Sequence, residues 1–179
     1  MNILGICGSP RKGNTEFMLN SVLDFAKERG VETELLLLKG LKIENCTGCD
    51  ICFNEGKPCY IKDDFSNVLD KMLDSDAIVF GSPNYFKNVS GLMKTFMDRT
   101  NEIVKDSKLG GKNAAFVCVG GQSIDNTMFC GDIFSEFIKE HKMNLIGSVI
   151  AKAEAPNDLQ KNDMVVDECK KLGEKLAGN

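Results

Sequence analysis

A chain of 179 residues, 42% hydrophobic and 27% charged, holds enough apolar material for one buried core and is too short for two ordinary enzyme domains. Its net charge of -4 and pI near 5.1 lack the basic footprint that nucleic-acid binding requires, and no apolar run reaches the roughly 18 residues that cross a bilayer. A single domain over residues 1–179, binding neither nucleic acid nor membrane, is expected.

The opening residues MNILGICGSP have no basic leader region and turn at once into Gly-Ser-Pro, so they read as a buried strand at about 2–7 rather than an export signal. A cytoplasmic, reducing compartment is expected, because structural disulfides rarely persist there and the chain carries 8 cysteines. The run GSPRKGNT, Gly8 to Thr15, then leads directly into a helix at about 15–29. Glycines let successive N–H groups converge, Ser9, Asn14 and Thr15 add donors, and the helix N-terminus adds partial positive charge. The run is an anion cradle. It departs from the triphosphate motif G-x4-G-K-[ST] at Asn14, which stands where that motif has lysine, and G-x-G-x-x-G is absent. The second strand, at about 32–38, ends in Leu35 to Leu38 with no acidic residue to grip a ribose. A phosphate monoester is the ligand left; the plainer alternative is a loop that only turns the chain and caps the helix.

Residues 39–62 form a connection longer than ordinary loops, as functional loops often are. Within it lie Cys46, Cys49, Cys52 and Cys59, spaced C-x2-C-x2-C-x6-C, a pattern that suits an iron-sulfur cluster held by four thiolates. A zinc site usually shows two C-x2-C pairs separated by a longer insertion, and Asn45, Thr47, Gly48 and Asp50 argue against one helical face of buried thiols. Zinc, a bare thiol loop and disulfides remain alternatives. Lys39, Lys42, Lys57 and Lys62 against Glu44, Asp50 and Glu55 leave only a slight positive excess for docking an acidic electron carrier.

The next helix, at about 64–74, opens on Asp63-Asp64, and a third strand follows at about 77–81. In GSPNYFKNVSG, Tyr85 and Phe86 offer flat walls for a ring such as an isoalloxazine, and backbone N–H groups from Asn84 to Asn88 can face its polar edge; ordinary packing is the alternative. A helix at about 90–105 opens on Ser90 and carries Asp98-Arg99, expected to form surface or interhelix ion pairs. The fourth strand, at about 113–120, ends in Gly120-Gly121-Gln122, where backbone can approach a ligand. A helix at about 127–141 ends near His141, the sole histidine, read as a structural residue whose cationic form suits the helix dipole. A strand at about 144–150 and a helix at about 160–176 complete the chain. Cys7, Cys118, Cys130 and Cys169 fall in strands and helices and read as small buried hydrophobes.

Strands alternating with helices predict an α/β fold, a doubly wound five-stranded parallel sheet of flavodoxin-like order 2-1-3-4-5, with ligands beyond the carboxyl ends of the strands. No catalytic triad or carboxylate dyad is found, so no catalytic side chain is assigned. In GSPRKGNT, the compact cysteine motif with its following IKDDF, SPNYFKNVSGLMKTFMDR and the VGG loop, the chain resembles the flavodoxin-like NAD(P)H-dependent FMN reductases. More closely, it resembles the iron-sulfur flavoproteins of anaerobic microbes. The resemblance implies that Ser9, Arg11, Asn14 and Thr15 hold the FMN phosphate, that Pro83, Asn84, Tyr85, Phe86 and Asn88 line the flavin, and that Gly120 and Gly121 border it. It implies a [4Fe-4S] cluster on Cys46, Cys49, Cys52 and Cys59, a homodimer or homotetramer with a place for Asp98-Arg99 at a subunit contact, and NAD(P)H or a ferredoxin-like carrier as partner. The chain has no Trp, so the indole stacking of true flavodoxins is excluded. The expected function is FMN-dependent electron transfer coupled to the cluster. The alternatives are an NAD(P)H-dependent FMN or quinone reductase with a zinc or bare thiol loop, and a non-catalytic FMN electron carrier.

Overall fold

Strand β1, Asn2–Cys7, is buried from Ile3 onward and pairs on both sides, as a central strand of a parallel sheet must. Its neighbours are β2 (Glu32–Leu37) and β3 (Ala77–Pro83), and beyond β3 lie β4 (Asn113–Gly120) and β5 (Asn144–Lys152). All pairs are parallel and the order is β2-β1-β3-β4-β5, the flavodoxin-like arrangement expected. This computed structural model describes residues 1–178. Its helices are α1 (Asn14–Glu28), α2 (Ile51–Glu55), α3 (Phe65–Asp74), α4 (Gly91–Arg99), α5 (Asn101–Val104), α6 (Ile124–Glu140) and α7 (Asp163–Leu176). Among the described residues no helix is long and apolar enough to cross a membrane.

The crossovers place helices on both faces of the sheet. On one face α1 and α7 cover Val79, Val117 and Val149 with Met18, Leu19, Val22 and Leu172. They approach so closely that a Cβ on Gly173 would stand 2.4 Å from the Val22 carbonyl, so only glycine fits there. The other face carries a row of rings in which Phe116 stacks on Phe134, Phe134 on Phe80, and Phe96 bridges Phe80 to Phe65. That row seats α3, α4 and α6 against the sheet.

Three element boundaries differ from the sequence reading. The helix expected at 90–105 breaks at Thr100, whose hydroxyl bonds the Met97 carbonyl at 2.7 Å and the His141 imidazole at 2.9 Å. Helix α6 starts at Ile124, earlier than expected, because Ser123 caps it by accepting the Asn126 N–H at 3.2 Å. A short 3-10 turn, Asp158–Lys161, precedes α7 where helix was expected to begin.

His141 is not the cation expected at the end of α6. It is only 2% exposed, and burial lowers its pKa to about 4, so the ring is neutral at pH 7. Folded protein therefore declines a proton that the unfolded chain accepts near pH 6.5. Stability present above that pH is lost as pH falls towards the folded value, by about 2 kcal/mol between pH 6.5 and about 5. Urea unfolding at a series of pH values is expected to show this slope in the wild type and a flatter one in His141→Gln. Parallel profiles for the two proteins would contradict the assignment.

Candidate functional site

The carboxyl ends of β1, β3 and β4 open on one edge of the sheet, where the strand order reverses. A crevice there is lined by Ser9, Arg11, Gly13, Asn14 and Thr15 of the first loop, by Pro83, Asn84 and Tyr85 after β3, and by Val119, Gly120 and Gly121 at the end of β4. Gly8 N–H donates to the Gly81 carbonyl at 2.8 Å, and Ser90 Oγ donates to the Gly8 carbonyl at 2.6 Å. The same Ser90 oxygen accepts the Met93 N–H at 3.1 Å and so caps α4. These bonds set the first loop in shape before a ligand arrives. A Cβ on Gly120 would fall 2.4 Å from Thr127 Oγ1, so the crevice wall at that point is bare backbone.

The predicted donors divide into free and engaged groups. Thr15 Oγ1 is buried at the start of α1 with no hydrogen-bond partner, an arrangement that costs about 1–3 kcal/mol unless a ligand satisfies it. Asn84 Oδ1 is likewise buried and unpartnered, while its amide donates to Asn126 Oδ1 at 2.8 Å. Ser9 Oγ donates to the Arg11 carbonyl at 2.7 Å, tightening the turn. Asn14 lines the crevice and has a second task. Its side-chain amide donates one hydrogen to the Ala155 carbonyl at 2.9 Å and its oxygen accepts the Leu159 N–H at 3.3 Å, so the side chain tethers a distant loop while its second amide hydrogen stays unengaged. An orphaned hydroxyl beside glycine backbone at a helix N-terminus is the setting a phosphate ester satisfies.

Phe86 lies in an adjoining cleft of about 410 Å³ with Asn84, Lys87, Gly121, Gln122 and Asn126. Its ring is fully exposed, and Phe86 and Lys87 both have left-handed backbone, φ 53° and 63°. Asn88 lines neither hollow. It closes a tight turn by exchanging backbone bonds with Tyr85 at 2.9 and 3.0 Å, and its side-chain oxygen accepts the Val89 N–H. The sequence reading missed a fourth loop after β5, where Ala153 and Pro156 line the crevice and Asp158 accepts the N–H groups of Glu154 and Ala155 at 3.0 and 2.7 Å. The turn-forming run Pro156-Asn157-Asp158 was its signal. A wider hollow of about 590 Å³ opens at the opposite edge among Lys27, Glu32, Glu34, Lys71 and Asp74, away from where α/β sheets bind ligands.

The cysteine loop turns through left-handed Gly48, Asp50 and Gly56 around the short helix α2, which has no buried residue. Cys46 and Cys49 are exposed, Cys52 and Cys59 half-buried, and all are free thiols. Burial raises the Cys52 pKa, and the neighbouring Cys59 and Cys46 add to it. The donors fit a thiolate-held centre in kind, yet among the described residues no three His, Cys, Asp or Glu side chains are gathered to hold a metal. The remaining cysteines are inert core residues: burial pushes Cys7 up to about 11 and Cys169 to about 12, and raises Cys118, which lies 3.2 Å from Cys130. Nearby charges form exposed pairs, Lys57 with Glu55 and Lys42 with Glu44, so no basic patch develops.

Of the two settings expected for its ion pair, surface or interhelix, Arg99 takes the buried one between elements. Its side chain and that of Asp63 are each 1% exposed and form a bidentate pair at 2.6 and 3.2 Å, whereas Asp98 pairs with Lys94 in solvent. Burial pushes the Asp63 carboxyl up, but hydrogen bonds from Arg99 and from the Glu44 and Phe65 N–H groups outweigh it and leave the pKa below the ordinary value.

Residues 1–156 match the NADPH-dependent FMN reductase family. An iron-sulfur flavoprotein of Methanocaldococcus jannaschii is 33% identical over 186 residues, covering 99% of this chain and 96% of the relative. The chain belongs to the iron-sulfur flavoproteins within the NADPH-dependent FMN reductase family. An iron-sulfur flavoprotein of Archaeoglobus fulgidus is 45% identical over 100 residues, 56% of this chain and 49% of that relative. Among solved structures, a flavone reductase superposes with TM-score 0.80 at 27% identity, covering 99% of this chain and 62% of that one. An archaeal flavodoxin superposes at 0.65 with 19% identity over 99% and 96% of the two chains, which bears on fold alone. Family membership makes this protein a flavin-dependent oxidoreductase.

Proposed function

We propose that this protein is an FMN-dependent electron-transfer oxidoreductase that couples its flavin to a four-cysteine iron-sulfur cluster. The observation that carries the flavin half is the unpartnered, buried Thr15 hydroxyl at the start of α1 in a crevice walled by bare glycine backbone. In this reading Thr15, the Arg11 side chain and the N–H groups of the first loop hold the FMN phosphate. Asn14 acts one step back, holding the loop after β5 against them. Pro83, Asn84, Tyr85, Phe86, Gly120 and Gly121 border the isoalloxazine, and the free Asn84 oxygen accepts from its polar edge. Asn88 contributes the turn that sets Tyr85 and Phe86. Cys46, Cys49, Cys52 and Cys59 hold the cluster. The bound flavin supplies paired-electron and single-electron chemistry and the cluster single-electron chemistry, while the chain binds, orients and shields them. NAD(P)H or a ferredoxin-like carrier completes the reaction, and a homodimer or homotetramer is the working assembly.

A second reading, an NAD(P)H-dependent flavin or quinone reductase with a bare thiol loop, draws on the thiols not being gathered as a ligand set. Iron and acid-labile sulfide analysis of anaerobically purified protein separates the two. About four of each per chain supports the cluster, and a yellow protein with neither supports the second reading.

The flavin half has its own test. Thr15→Val keeps the branched shape and removes the hydroxyl, so FMN is expected to bind about 30-fold more weakly, equivalent to about 2 kcal/mol. Fluorescence titration with FMN reads this directly. Equal dissociation constants for variant and wild type would remove Thr15 from the phosphate site.

A further inference from the structure

We propose that Arg99 is the positioning residue of the cysteine loop: its buried guanidinium clasps the two ends of the loop together and fixes Cys59 as the anchor sulfur of the metal centre. This rests on the four-cysteine reading above. One guanidinium nitrogen donates to the Glu44 carbonyl at 2.9 Å, two residues before Cys46. The other donates to the Ile61 carbonyl at 3.5 Å, two residues after Cys59, and to Cys59 Sγ at 3.8 Å. Asp63 reinforces both ends, accepting the Glu44 N–H at 2.8 Å and the Phe65 N–H at 3.1 Å while it neutralises the cation.

The geometry of the clasp is fixed from below and behind. Arg99 lies over the Phe65 ring at 4.8 Å, the end of the aromatic row, so the plane of the fork is set by the core. One turn earlier on α4, Thr95 Oγ1 donates to Asn45 Oδ1 at 2.9 Å, a second hold one residue before Cys46. The same helix is capped at its other end by Ser90, which bonds the first loop through the Gly8 carbonyl. Helix α4 thus ties the candidate phosphate cradle to the cysteine loop, and Arg99 is where the loop is fastened to it.

Arginine suits this task and lysine does not. Two carbonyls, a carboxylate and a sulfur are reached by one planar set of donors, which a single ammonium cannot reproduce. An N–H directed at a ligating sulfur also withdraws electron density, which raises the reduction potential of a thiolate-held centre. Surrounding donors of this kind typically change metal affinity by about 10–100-fold.

The test uses the full chain in two variants. Arg99→Lys keeps the charge and loses the fork. Asp63→Asn with Arg99→Met is neutral and keeps an acceptor for one of the two N–H groups, so folding does not depend on a lone buried charge. In metal-free protein, proteolytic cleavage within residues 44–61 is expected to accelerate at least about tenfold in both variants, with FMN affinity unchanged. After anaerobic incubation with ferrous iron and sulfide, metal affinity is expected to fall about 10–100-fold. The centre remaining in Arg99→Lys is expected to titrate at a more negative potential. Wild-type cleavage rates and wild-type metal content in both variants would overturn the proposal. Failure of the wild type itself to take up iron and sulfide would overturn the anchor-sulfur role with the reading it rests on, whereas accelerated cleavage would still support the clasp.

Discussion

Asp63→Ala is expected to destabilise the protein by about 4 kcal/mol, close to the upper limit for a single substitution. The carboxylate is 1% exposed and meets three partners: the Arg99 guanidinium and the N–H groups of Glu44 and Phe65. Its removal leaves a cation in the interior with no counter-charge and two backbone donors with no acceptor. The neighbouring pair supplies the control. Asp98 stands one residue before Arg99 and pairs with Lys94, but those side chains are about half exposed, 48% and 53%. Asp98→Ala is therefore expected to change stability by no more than about 0.5 kcal/mol. Urea unfolding at neutral pH, with the slope unchanged so that the midpoint reports stability, measures both. Equal midpoints for Asp63→Ala and Asp98→Ala would mean that the buried pair carries no weight.

This contrast also shows what the sequence can and cannot reveal. Asp98-Arg99 reads as one charged unit, yet the helix turns the two residues to opposite environments, and burial decides their energies. Asp63 reads as a helix cap, and it does accept the Phe65 N–H, but its main partner lies 36 residues away. Side-chain partnerships across such separations leave no trace in local spacing. Asn14 is the same case: the residue type suits a phosphate loop, and its partners at Ala155 and Leu159, which make it a tether as well, are invisible in local spacing. By contrast, the strands were readable, because apolar runs are local; their order has no local signal and followed only from the flavodoxin-like class that a five-strand α/β unit of this size fits. Ser90 was read correctly as a cap, while its second bond to Gly8, which shapes the cradle, was not visible.

The cysteine loop and the phosphate crevice differ in what supports them. Buried strand ends, Ser82, Ser90 and the Gly8–Gly81 bond hold the crevice, so its shape follows from the sheet. The loop has no apolar core of its own: α2 buries nothing, and Lys105 holds it from outside by donating to the Phe53 carbonyl at 2.8 Å. Leu41 and Ile43 at its start pack on the core, and polar fastenings from Thr95, Arg99 and Lys105 hold the rest.

Phe80→Ala is expected to lower stability by about 4 kcal/mol, through a different route. Phe80 is fully buried in β3 and touches three rings, stacked on Phe134 at 5.9 Å, edge-on to Phe137 at 5.5 Å and tilted to Phe96 at 6.4 Å. Truncation opens a cavity where α4 and α6 meet the sheet, and rings held on three sides cannot collapse into it. The next residue in the strand, Gly81, accepts the Gly8 N–H, so the crevice lies beside the damaged core while its own lining is untouched. Intrinsic FMN affinity should then persist, and FMN at about 100 times its dissociation constant should restore about 2.7 kcal/mol by mass action. Thermal unfolding of the variant with and without excess FMN measures both effects. A variant destabilised by less than about 1 kcal/mol would show that the ring row is not the centre of that core. Destabilisation without rescue by FMN would show that the core and the crevice are one cooperative unit, with the aromatic row part of the machinery that shapes the site.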